Sequence, residues 1–75
     1  MLINMHRQPV ISSNLASVGY DSKSRTLEVE FLNGSVYQYE NVPSVIYNGL
    51  MSASSKGQYF DRMIVKGGYR YKRIV

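Results

Sequence analysis

The stretch Leu27-Glu28-Val29-Glu30-Phe31-Leu32-Asn33-Gly34-Ser35-Val36-Tyr37-Gln38-Tyr39 decides the fold. On each side of Asn33-Gly34 the side chains alternate between apolar and polar, the period of a half-buried strand. Asn-Gly between two such runs is a hairpin signal. A two-residue Asn33-Gly34 loop would set Val29 opposite Gln38 and Leu27 opposite Glu40, mixing apolar and polar groups on one face. A three-residue loop, Leu32-Asn33-Gly34, sets Val29 opposite Tyr37 and Leu27 opposite Tyr39. A slip of one residue would turn every side chain over, so the three-residue loop is the consistent choice. It also puts Gly34 where a type I turn with a G1 bulge needs a left-handed residue.

The same test applied upstream gives a second hairpin. A four-residue loop, Ser22 to Arg25, pairs Asp21 with Thr26. It then aligns Tyr20 with Leu27, Val18 with Val29 and Ala16 with Phe31. The outcome is a three-stranded antiparallel meander with one apolar face, which requires a cover. Two short helices can supply it. The first enters at Val42-Pro43, with Pro43 at the first helical position. It carries Val42, Val45, Ile46, Gly49, Leu50 and Ala53 on one stripe, with Gly49 read as allowing close packing on the sheet. The second follows Ser54-Ser55-Lys56-Gly57. Ser55 and Gln58 have capping-box spacing, and Tyr59, Phe60, Met63 and Ile64 form its apolar face. The predicted fold class is therefore α+β, a three-stranded meander covered by two short helices.

The ends are less regular. Residues 1–9 are expected to fray. Val10 and Ile11 either open a short strand or pack beneath the sheet. Ser12-Ser13-Asn14 favours turns and capping of local backbone. Residues 66–75, after the Gly67-Gly68 turn, read either as an edge strand or as an extended basic arm.

Composition bounds what such a domain can do. At 75 residues the chain is a single domain, spanning 1–75, and buries only about 60% of its unfolded surface. There is no Cys, so neither a disulfide nor a thiolate metal site can form, and the one His, His6, cannot make a transition-metal site alone. No metal, cofactor or catalytic group is expected. No run approaches the length of a membrane span, and no signal-peptide apolar region precedes Val10; the expectation is a cytoplasmic protein. Arg7, Lys23, Arg25, Lys56 and Arg62 balance Asp21, Glu28, Glu30, Glu40 and Asp61. The formal net charge of +4 thus falls on Lys66, Arg70, Lys72 and Arg73.

Several features occur in a familiar order: the Ser12-Ser13 pair, Gly19-Tyr20-Asp21, Leu27 to Phe31, Gly34, the Tyr37/Tyr39 pair and Val42-Pro43. Ala53, Ser55 and Gly57 in alternation, Tyr59-Phe60, Ile64 and Tyr69 complete it. In this order and spacing they resemble the KTSC family, named for its occurrence at the C-terminus of some lysyl-tRNA synthetases. The resemblance implies a compact α+β module and no particular reaction. Its association with synthetases makes RNA contact an expectation, here for a stand-alone copy.

The residues offer two candidate sites. Lys66, Tyr69, Arg70, Tyr71, Lys72 and Arg73 combine charge with aromatic faces, as single-stranded nucleic acid requires. As an edge strand, the same segment would pack its tyrosines inward and guard the edge with its cations. Ser55, Lys56 and Gly57, at the start of the second helix, could receive an anion; the plain alternative is a cap and a tight turn. Glu28, Glu30 and Glu40 fall on the predicted solvent face, where paired-carboxylate catalysis has no support. The expected function is a non-enzymatic binding module for RNA or single-stranded nucleic acid. Its alternatives are interaction with another protein or with itself, or binding of a small anionic ligand.

Overall fold

A computed structural model of the protein describes residues 5–75. Its sheet has five antiparallel strands in the order of the chain: β1 (Gln8–Pro9), β2 (Leu15–Asp21), β3 (Thr26–Phe31), β4 (Val36–Tyr39) and β5 (Tyr71–Arg73). The helical cover is α1 (Ser44–Ser52) and α2 (Lys56–Tyr59), which runs on into a π-helical turn, Phe60–Val65. The α+β class and the central meander agree with expectation, but the sheet is wider than three strands. β5 is the edge strand that residues 66–75 offered as one of two readings, whereas β1, two residues long, is too short for alternation to reveal.

The β3–β4 register matches the three-residue loop, with Leu27 opposite Tyr39 and Val29 opposite Tyr37. Gly34 has φ +91°, the left-handed region a β-carbon disfavours, and the Asn33 side-chain oxygen accepts the Ser35 N–H. In the β2–β3 hairpin the pairs run as expected from Asp21–Thr26 to Val18–Val29. Then a bulge intervenes, and Leu15, rather than Ala16, stands opposite Phe31. The extra residue turns fully buried Leu15 into the core.

The core lies between the sheet and the helical layer. Val18, Leu27, Val29 and Tyr39 meet Val42, Leu50, Phe60 and Ile64 there. Phe31 and Tyr37 flank it in edge-on contacts, with Phe31 5.5 Å from Phe60 between ring centroids. Helix α1 departs from expectation in three ways. Pro43 is its N-cap, with extended backbone, rather than its first helical residue. Val45 lies outside the buried stripe, 69% exposed, while Tyr47 stacks on Tyr20 at 4.7 Å. Gly49 faces the Tyr59 ring rather than the sheet; that ring's hydroxyl donates to the Ile46 carbonyl at 3.1 Å. Ser55 does sit at the N-cap of α2, but its side chain makes no capping bond. The Lys66 N–H reaches back to the Asp61 carbonyl at 3.0 Å, a five-residue bond that widens the turn.

The other sheet face is not the solvated face the alternation suggested. Glu28 is only 2% exposed. Arg7 lies across the sheet and pairs with Glu28, and Gln38 donates to the same carboxylate at 2.8 Å. Ser17 accepts from Arg7 at 3.0 Å and donates to Glu30 at 2.8 Å. Residues 5–9, part of the segment expected to fray, therefore carry a strand and the cation that covers Glu28; the rest of that segment lies outside the described residues. Among the described residues no buried polar side-chain atom lacks a hydrogen-bond partner.

Candidate nucleic-acid interface

A cavity of about 390 Å³ opens between the β4–β5 edge and the π-helical turn. The sheet builds its floor. Tyr37 and Tyr39, two apart on β4, project to the same side, and Phe31 of β3 stands beside them. β5 extends this face, because Tyr71 pairs with Tyr39 and Arg73 with Tyr37. Paired residues share a face, so Tyr71 and Arg73 lie on the cavity side. Lys72 pairs with Gln38 and lies on the opposite side, in the row of Glu28. Ile64 and Val65 of the helical turn form the facing wall, and Tyr69 lines the cavity where the chain comes back from it.

The aromatic rings form a continuous set. Tyr71 sits 5.6 Å from Tyr39 and 5.9 Å from Tyr37 between centroids, yet it is 63% exposed. It is a braced ring with much of its surface in solvent. Burial pushes the Tyr39 phenol up to about 12, with the neighbouring Tyr37 and Tyr71 adding to the effect. At neutral pH Tyr39 is therefore uncharged. One end of the cavity is polar, formed by Asn33 and Ser35 of the β3–β4 loop.

The six residues expected to bind nucleic acid thus divide. Tyr69 and Tyr71 line the cavity. Arg73 shares its side, with Nε donating to the Val75 carbonyl at 2.7 Å. Arg70 is exposed next to Tyr71, its backbone carbonyl accepting from the Glu40 N–H at 2.8 Å. Lys72 faces away, and Lys66 pairs with Asp61 at 3.3 Å. The segment is an edge strand, and its cations and aromatic groups remain accessible in that form. Phe31, Asn33, Ser35, Tyr37, Tyr39, Ile64 and Val65 were not expected at a site. Only the pairing of β4 with β5, residues more than thirty apart, brings them to Tyr71.

The second candidate, Ser55, Lys56 and Gly57, is engaged in local contacts. The Lys56 ammonium donates to the Ala53 carbonyl at 3.0 Å. Gly57 abuts the loop before β2, where a β-carbon would stand 2.6 Å from Asn14 Oδ1. Ser12 Oγ accepts the Leu15 N–H at 3.2 Å and holds that loop in place. This is a packing junction between α2 and the start of the sheet.

Comparison with known proteins gives a consistent picture. The family profile described as the KTSC domain matches residues 11–73. An uncharacterized protein of Stutzerimonas stutzeri is 43% identical over 70 residues, covering 93% of this chain and 99% of the relative. A lysine–tRNA ligase of Trichormus variabilis is 46% identical over 55 residues, 73% of this chain but 10% of the ligase. The crystal structure of a KTSC domain protein from Yersinia pestis superposes with a TM-score of 0.84 at 44% identity, covering 95% of this chain and 99% of that one.

Proposed function

The chain belongs to the KTSC domain family, and we propose that it is a non-enzymatic binding module for single-stranded RNA. The observation that carries the reading is the juxtaposition of a tyrosine-lined cavity with Arg73 on the same face of β5. Stacking on aromatic faces and neutralisation of phosphates are the two interactions that hold single strands without a duplex groove. The neutral body and cationic β5 segment supply charge complementarity to a polyanion. The occurrence of a similar segment within lysine–tRNA ligases is consistent with an RNA partner, and a cytoplasmic setting fits it.

Fluorescence anisotropy with a short single-stranded RNA at several salt concentrations tests this. Binding should weaken steeply with salt. Arg73→Gln, on the cavity face, should weaken binding and lower the log–log salt slope by about 0.7, the value for one phosphate contact. No wild-type binding at low salt would reject the reading. It would favour the alternative that the outer edge of β5 adds a strand from a protein partner.

A further inference from the structure

The cavity has one polar end and otherwise aromatic and aliphatic walls, and this asymmetry carries information about its occupant. At the polar end Asn33 Oδ1 accepts twice from Ser35, from its N–H at 3.0 Å and its hydroxyl at 2.7 Å. These two bonds fix which way the Asn33 amide points. They consume its acceptor and leave its NH2 group without a partner among the described residues. The Ser35 hydroxyl, having donated its proton to Asn33, keeps lone pairs for accepting. A hydrogen-bond donor and an acceptor therefore stand side by side, four and two residues before Tyr37. Gly34, left-handed between them, sets their spacing.

We propose that the cavity is a pocket for one unstacked nucleobase, its face against the Tyr37–Tyr39–Tyr71 cluster and its hydrogen-bonding edge toward Asn33 and Ser35. This rests on the RNA-binding reading above and makes it specific. A volume of about 390 Å³ lies at the small end of the roughly 300–1,000 Å³ range of small-molecule pockets, the scale of a single base rather than of a stacked run. Every base presents at least one donor and one acceptor on its pairing edge, which the Asn33 amide and the Ser35 hydroxyl can meet. The cations bear on the occupant too. Arg73 lies on the cavity side of β5 beside Tyr37, where the phosphate of an inserted nucleotide would emerge. A purely apolar ligand would make no use of the Asn33 amide, the Ser35 hydroxyl or Arg73.

The test compares two probes of equal length and charge, a mixed-sequence single-stranded RNA octamer and an abasic octamer with the same sugar-phosphate backbone. Affinity is measured by fluorescence anisotropy at one salt concentration. The RNA should bind more tightly than the abasic strand by about 5- to 150-fold, the effect of one stacked base. Tyr71→Leu keeps an apolar side chain at an exposed position. It should remove most of that difference while leaving abasic binding unchanged. Asn33→Asp retains the acceptor oxygens that Ser35 uses but replaces the amide donor. It should weaken the RNA more than the abasic strand. Equal binding of the two octamers by the wild type would overturn the base pocket while leaving phosphate-based RNA contact standing. A preference for the RNA that survives both substitutions would place base contact elsewhere and equally overturn it. Failure of both octamers to bind would remove the RNA-binding reading itself.

Discussion

Single residues on α1 and β4 illustrate how tightly a small core constrains its neighbours. Gly49 faces the end of the Tyr59 ring so closely that a β-carbon would overlap it. That ring is fixed by its bond to the Ile46 carbonyl. Ala is the better helix former by roughly 1 kcal/mol, yet Gly49→Ala should destabilise by about 1–3 kcal/mol through overpacking. Urea denaturation checks this, and a midpoint raised by the substitution would show that Tyr59 can move aside. Tyr39 makes a different prediction. Its phenol, raised from 10.0 to about 12 in the folded protein, keeps its proton where an unfolded tyrosine has lost it. Its contribution to stability is intact below about pH 10 and disappears as the pH rises through about 12. Tyr39→Phe should therefore lose less stability than the wild type between about pH 9 and pH 11. Equal losses, read from denaturation midpoints, would contradict the burial argument.

Elements differ in how much of them the sequence reveals. The β3–β4 hairpin and its register follow from alternation and one Asn-Gly, because both strands and their turn lie within the fourteen residues from Thr26 to Tyr39. The bulge at Ala16 does not, since only the packing of Leu15 under the helices selects it. Nor does the burial of Glu28. Its neighbour Gln38 could be placed by register, but its countercharge Arg7 arrives through β1, a strand of two residues. Arg7→Ala should cost about 1–3 kcal/mol, the penalty of an unmet buried group. Adding Glu28→Gln should recover part of that loss, as denaturation of the single and double variants would show. No recovery would mean that Arg7 acts through packing alone. Strand β5 carries the sharpest functional contrast. Adjacent residues point to opposite faces, so Arg73→Gln should lower the salt slope of RNA binding by about 0.7. Lys72→Gln, on the Glu28 side, should lower it far less. Equal effects in anisotropy titrations would deny that the cavity face is the binding face.

For the whole molecule, the charge pattern and the tyrosine content were plain in the sequence, but their meeting point was not. The net positive charge could be assigned to residues 65–75 by counting. Reading that segment as arm or strand required knowing whether it returns to β4, a contact spanning the whole helical layer. That return makes Tyr37 and the core residue Tyr39 the floor of an open cavity and gives Tyr71 its braced position. It also separates the candidate residues by face, leaving Lys72 and ion-paired Lys66 outside the cavity. The central claim is that this edge, rather than the α2 junction, meets a nucleic acid. An NMR titration of isotope-labelled protein with a short single-stranded RNA tests it directly, because each backbone amide reports separately. The account predicts shifts concentrated at residues 33–39 and 69–73, with Gly57 and its neighbours in α2 unmoved. Shifts confined to the surface around Gly57, Gln58 and Arg62, or none at all, would contradict it.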